Sequence, residues 1–119
     1  MAYVDGYVLA VKKKGLKTYQ KMASQAEKVW RDHGAIDYRE CVAEDLAAPW
    51  GVPFDKTIKT KSGETVVFSY IVFKNRAHRD KVNAKVMKDP RIAKMCDPAN
   101  MPFDCKRMVY GGFKSIVGK

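Results

Sequence analysis

Val66-Val67-Phe68-Ser69-Tyr70-Ile71-Val72-Phe73 is the stretch that decides the fold of this chain. β-Branched and aromatic residues fill it, and Ser69 is its one polar interruption, so it reads as a central strand buried on both faces. Side chains alternate along a strand. Val66, Phe68, Tyr70 and Val72 therefore share one face, and Val67, Ile71 and Phe73 share the other. Each face requires cover.

Outward from this strand, the pattern predicts the rest of the architecture. Ser62-Gly63 is a turn signal before it, and Asn75 is a plausible N-cap after it. A helix follows, with Val82, Asn83, Val86 and Met87 inward, until Asp89-Pro90 interrupts it. Ile92, Ala93, Met95 and Cys96 suggest one more short helical stretch, and Pro98 and Pro102 mark a loop. Residues 107–117 read as the last strand. Upstream, residues 3–11 form a first strand, and 36–43 alternate as a second. Between them Leu16, Tyr19, Met22, Ala23, Ala26, Val29, Trp30 and His33 recur at spacings of three and four, an apolar helical stripe that Gly34 stops. Residues 44–61 hold Pro49, Gly51 and Pro53 and read as a long connection ending in a hairpin arm.

The order βαββαβ is the split βαβ, or ferredoxin-like, arrangement of an α+β fold with a four-stranded antiparallel sheet. The 119 residues suit one domain spanning 1–119. Two helices cover one face of such a sheet. The other face carries an apolar row, which is rare on a soluble monomer. It must meet a second copy of the sheet or a ligand that stacks on aromatics. Val66, Phe68, Tyr70 and Val72 form the candidate dimer interface.

Composition narrows the function classes. No apolar run reaches the ~20 residues of a membrane span, and the start lacks the basic and small-residue pattern of a secretory signal. Three widely spaced cysteines, Cys41, Cys96 and Cys105, do not suggest a disulfide framework. The expected location is the cytoplasm. Formal charge is +10, and between Lys74 and Lys94 eight Lys or Arg stand against two Asp, a net of six positive charges. This run is read as the solvated face of a helix. Nucleic acid is its alternative partner, and the aromatic half of the RNA-recognition motif is matched by Phe68, Tyr70 and Phe73. The basic residue and glycine that open that motif are replaced by Val66 and Val67.

No motif names a reaction. His33 and His78 lie on different helices without metal-ligand spacing, so neither a metal nor a cofactor is implied. His33 is either a helix-terminal histidine on the dipole or a polar anchor at a pocket. Asp104 and Arg107 form a local ion pair, or Arg107 grips an anionic substrate. Trp50 lids a pocket or plugs a dimer seam. Asp5 and Glu40 fall inside strands, where a carboxylate belongs on an exposed edge or in a polar cavity. Gly6, Gly111 and Gly112 interrupt neighbouring strands and imply close approach.

Tyr3-Val4-Asp5-Gly6-Tyr7-Val8, His33-Gly34-Ala35, Glu40-Cys41, Asp89-Pro90-Arg91, Met101-Pro102-Phe103-Asp104, Lys106-Arg107-Met108 and Tyr110-Gly111-Gly112-Phe113 together resemble the YbaA-like bacterial proteins of unknown function. The resemblance runs nearly end to end. It implies membership of the dimeric α/β-barrel superfamily, whose members pair two ferredoxin-like sheets face to face. Relatives in that superfamily include cofactor-free monooxygenases, haem-degrading enzymes and muconolactone isomerase; no catalytic residue is carried over. The reading is a cytoplasmic homodimer binding a small molecule between sheet and helices, as a monooxygenase-like or isomerase-like enzyme. His33, Trp50, Tyr70, Asp104 and Arg107 are its candidate pocket residues. An RNA-binding module and a non-catalytic sensor or scaffold dimer are the alternatives.

Overall fold

The computed structural model describes residues 2–47, 49–95 and 101–118. Its centre is β3 (Glu64–Phe73), which pairs antiparallel with β1 (Tyr3–Lys12) on one side and β2 (Asp37–Val42) on the other. The last strand, β4 (Val109–Lys114), pairs antiparallel with the outer side of β1. The sheet order is β2-β3-β1-β4, the ferredoxin-like α+β arrangement expected from the sequence.

The helices form where the periodicity places them. In α1 (Leu16–Asp32), Tyr19, Ala23, Ala26 and Val29 are buried on one side. The helix ends in a Schellman motif: Ala35 N–H donates to the Trp30 carbonyl and Gly34 N–H to the Arg31 carbonyl, with Gly34 at φ 112°. In α3 (Arg76–Lys88), Asn75 is the N-cap, accepting from His78 N–H at 2.8 Å. The His78 ring answers by accepting from Lys74 N–H at 3.0 Å. Pro90 ends α3 and opens the short α4 (Pro90–Met95).

Three boundaries differ from the sequence reading. The connection after β2 forms no hairpin arm. Pro53 cannot donate to a strand ladder, and its carbonyl instead starts the single helical turn α2 (Phe54–Thr57). The last strand begins at Val109, because Cys105–Arg107 form a 3₁₀ turn capped by Asp104, whose carboxylate accepts from Lys106 N–H at 2.9 Å. It ends at Lys114, well short of Val117. Cys96 and Pro98 lie outside the described residues.

The helices α1, α3 and α4 lie on one side of the sheet, and the short α2 lies on the other, with the Phe54 ring against Phe68. Tyr3, Asp5, Tyr7, Leu9 and Val11 of β1 face α1, α3 and α4, with Val67, Ser69, Ile71 and Phe73 of β3. On the opposite side lie Val4, Val8, Val66, Phe68, Tyr70, Val72, Val109 and Phe113. Gly6 and Gly111 pair directly, and the Phe113 ring lies over both, 3.5 Å from where each Cβ would stand. A Cβ on Gly112 would fall 2.4 Å from the Tyr3 hydroxyl. The close approach that these glycines imply is made by the chain's own aromatic rings.

Asp5 is fully buried beneath α3. Arg79 Nη1 donates to it at 2.8 Å and Asn83 Nδ2 at 3.2 Å. Arg79 also donates to the Tyr110 hydroxyl at 2.9 Å and lies over the Tyr3 ring. A buried carboxylate is tolerated when it is paired and hydrogen-bonded in this way. Arg79→Met, which strands Asp5, is expected to cost about 3–5 kcal/mol in denaturant unfolding. Asp5→Leu combined with Arg79→Met should cost less than Arg79→Met alone, because no buried charge is left uncompensated.

Candidate functional site

The site begins with strand alternation. Tyr38, Glu40 and Val42 of β2 point to the helix side, and register places Glu40 beside Ser69 of β3, which in turn sits beside Tyr7 of β1 and, one strand further, Tyr110 of β4. Glu40, Ser69, Tyr7 and Tyr110 thus form one polar row across the sheet, at about 4.8 Å per strand. Two tyrosines clasp the carboxylate. Tyr19 of α1 donates to Oε1 at 2.6 Å, and Tyr38 donates to Oε2 at 2.7 Å. Burial, reinforced by the Glu40 charge, pushes both hydroxyls well above the usual tyrosine range. Burial and then the Asp5 charge do the same to Tyr7. All three remain protonated donors.

Above this row lies a cavity of about 230 Å³. It opens at the seam between two core clusters, one around Phe73, Val82 and Val86 and the other around Leu9, Val11 and Val67, with Tyr7 touching both. Its walls are Leu9, Ala26, Trp30, Ile71, Ile92 and Phe103 together with Met22, Met87, Met95, Met101 and Met108, five of the chain's six methionines. Such walls are apolar and adaptable. A second cavity of about 330 Å³ lies at the edge between α1 and β2, lined by Gln20, Ser24, Glu27 and Cys41 among others. The two share Tyr19, Ala23, Tyr38 and Glu40, so the clasped carboxylate stands where they meet.

The five residues chosen from sequence do not converge on this cavity. His33 Nε2 donates to Asp89 at 2.8 Å, tying the end of α1 to the α3–α4 junction. Asp89 also takes Arg91, and these two contacts, Arg91 first, hold its carboxyl below the usual range. Trp50 is 79% exposed in the loop before α2. Tyr70 lies on the face opposite α1 and α3, against Phe68. Asp104 caps the 3₁₀ turn instead of pairing with Arg107. Arg107 grips Glu64 with two bonds, 2.8 and 2.9 Å, and donates to the Lys59 carbonyl. These polar groups are spent on joining elements. Glu40 carried a sequence signal, a carboxylate inside a strand; Tyr19 was concealed in an apolar stripe, and the methionine walls had no local signature. No group of three metal-ligating side chains occurs among the described residues.

A ferredoxin-like α+β domain with a cavity between sheet and helices is the class that fold and site define. The chain belongs to the family described as "Protein of unknown function (DUF1428)", which it matches over residues 2–105. It is 40% identical over 117 residues to the uncharacterized protein YbaA of Escherichia coli strain K12, covering 98% of each chain, and equally similar to that of Shigella flexneri. Among solved structures it is similar to a NIPSNAP family protein with unknown function from Agrobacterium tumefaciens, with TM-score 0.59 and 12% identity over 96% of this chain and 87% of that one. A second crystal structure of that protein gives TM-score 0.58 and 11% identity, over 94% and 91%. At such identities the likeness concerns the fold.

The Glu64–Arg107 pair has a pH consequence. Arg107 lowers the Glu64 carboxyl from 4.5 to about 2. The folded chain therefore binds fewer protons than the unfolded chain between these values, and the pair's contribution is complete above about pH 5 and lost as pH falls towards 2. Thermal melts of Glu64→Gln are expected to fall less steeply over this acid range than those of the unaltered protein.

Proposed function

We propose that the protein is a homodimer that binds a compact, largely apolar small molecule in the cavity above Glu40. The cavity itself carries the reading: an apolar, methionine-walled space with one clasped carboxylate in its wall. Apolar pockets with a few convergent polar groups are the usual form of ligand sites. A cavity of about 150 Å³ accommodates benzene, so 230 Å³ suits a molecule of roughly ten non-hydrogen atoms. An isomerase-like or cofactor-free monooxygenase-like reaction is the enzymatic form of this reading.

The dimer is supported by the sheet face opposite α1 and α3. Phe68, Val109 and Phe113 are about half exposed or more and lie beside the partly buried Tyr70 and Val72; Val66, which the sequence also assigns to the interface, is buried next to Phe54 of α2 and is not open to a partner. The basic run from Lys74 to Lys94 belongs to α3 and α4, on the opposite side of the sheet. A nucleic acid stacked on Phe68 and Tyr70 would lie far from most of that charge, whereas a second sheet needs none of it. Sedimentation velocity at micromolar concentration is expected to give a dimer, and Phe68→Asp a monomer; a monomeric unaltered protein sinks this part of the reading.

Ligand binding is tested separately. Compounds of this size class that bind should raise the melting temperature by several degrees at about a hundredfold excess over Kd. Ala26→Phe fills the cavity from α1 and should abolish the shift while the dimer persists. Equal shifts in both proteins would place binding elsewhere.

A further inference from the structure

The polar row does more than mark a binding site. Glu40, Ser69 and Tyr7 are cross-strand neighbours on three adjacent strands, all facing the same cavity. The Glu40 carboxylate is held in one orientation by two hydroxyls from different elements. The Ser69 and Tyr7 hydroxyls have no hydrogen-bond partner among the described residues, and neither is a sealed, unsatisfied group; both are free to meet a ligand. An oriented carboxylate and two unused hydroxyl donors, on adjacent strands about 4.8 Å apart and facing one cavity, suit an acidic C–H and the carbonyl beside it.

From this geometry we infer that Glu40 is the proton acceptor for an enolisable carbonyl compound bound in the cavity, with Ser69 and Tyr7 donating to its oxygen. The inference rests on the cavity being the binding site. In the step, the C–H bond next to the carbonyl breaks and its proton passes to the free carboxylate lone pair of Glu40. The bonding electrons form the C=C of an enolate, whose oxygen takes the negative charge and accepts the Ser69 and Tyr7 hydrogen bonds. Return of the proton to the same carbon restores the substrate. Return to a conjugated carbon gives an isomer. No electron leaves or enters, so no oxidant or cofactor is consumed. The burial that keeps the Tyr7 hydroxyl protonated keeps it a donor.

The second cavity completes the cycle. Glu40 also borders the more polar space lined by Gln20, Ser24 and Glu27 at the α1–β2 edge, which gives its proton a second route to water. Tyr19 and Tyr38, whose hydroxyls donate to Glu40, border both spaces. Through that space a proton taken from substrate can exchange with solvent while the ligand occupies the cavity.

The test is deuterium exchange, followed by proton NMR in heavy water, with beta-tetralone, phenylacetone and cyclohexanone as probes and calorimetry as an independent measure of binding. The unaltered protein is expected to accelerate exchange next to the carbonyl by about a hundredfold or more, saturably. Glu40→Gln should bind the same probe and return exchange to the buffer rate, with Glu40→Asp retaining part of it. Ser69→Ala and Tyr7→Phe should each slow exchange by about tenfold to a hundredfold, with circular dichroism melts confirming that each variant is folded. Binding without acceleration, or acceleration that survives Glu40→Gln, overturns the inference and leaves the cavity reading standing. Absence of saturable binding by all three ketones overturns both.

Discussion

The register of β1 between β3 and β4 is the constraint on which the rest of the molecule depends. Side chains alternate between the two sides of a strand, so a slip of one residue would carry Asp5 and Tyr7 to the face opposite α1 and α3, and Leu9 and Val11 out of their core with them. The chain resists that slip in two ways. Asp5 reaches Arg79 and Asn83 only from its present position. Gly6 and Gly111 meet beneath Phe113 only when they are paired. The buried charge and the glycine pair thus act on one register, the first from the helix side and the second from the open side.

That register also assembles the site. Tyr7, Ser69 and Glu40 are far apart in sequence and come together because three strands align them. The helices then determine what surrounds them. Core packing closes completely around Phe73 and around Val11 but not at the seam between the two clusters, where Tyr7, Met22, Met95 and Met108 leave a space. Interiors are ordinarily packed without voids of this size, and methionine is the residue most able to line a space that must adapt to its contents. The polar groups elsewhere serve a different purpose. His33 with Asp89, and Arg107 with Glu64, fasten loops and helix ends to the sheet.

Much of the architecture was legible in the chain because it depends on local periodicity. The two-sided apolar character of β3, the stripe of α1 with Gly34 behind it, the Asn75 cap and the Asp89-Pro90 break each follow from a few neighbouring residues. The errors fell where long-range partners override local pattern. Arg107 reads as the start of a strand but lies in the 3₁₀ turn capped by Asp104, where it bonds Glu64, forty-three positions earlier. The stretch from Glu44 to Lys61 has no dominant period, so nothing in it distinguished a hairpin arm from a loop with one helical turn.

By itself, the sequence determined the element order, the ferredoxin-like class, the apolar row on the face opposite α1 and α3, and the membership of a family. These follow from spacing and alternation, which are properties of neighbours along the chain. Only the tertiary structure decided which polar residues share a site. Asp104 and Arg107 are three residues apart and do not pair, whereas Tyr19 and Glu40 are twenty-one apart and do. The reason is physical: a side chain's partner is set by strand register and helix placement, and those are fixed only when the whole core packs.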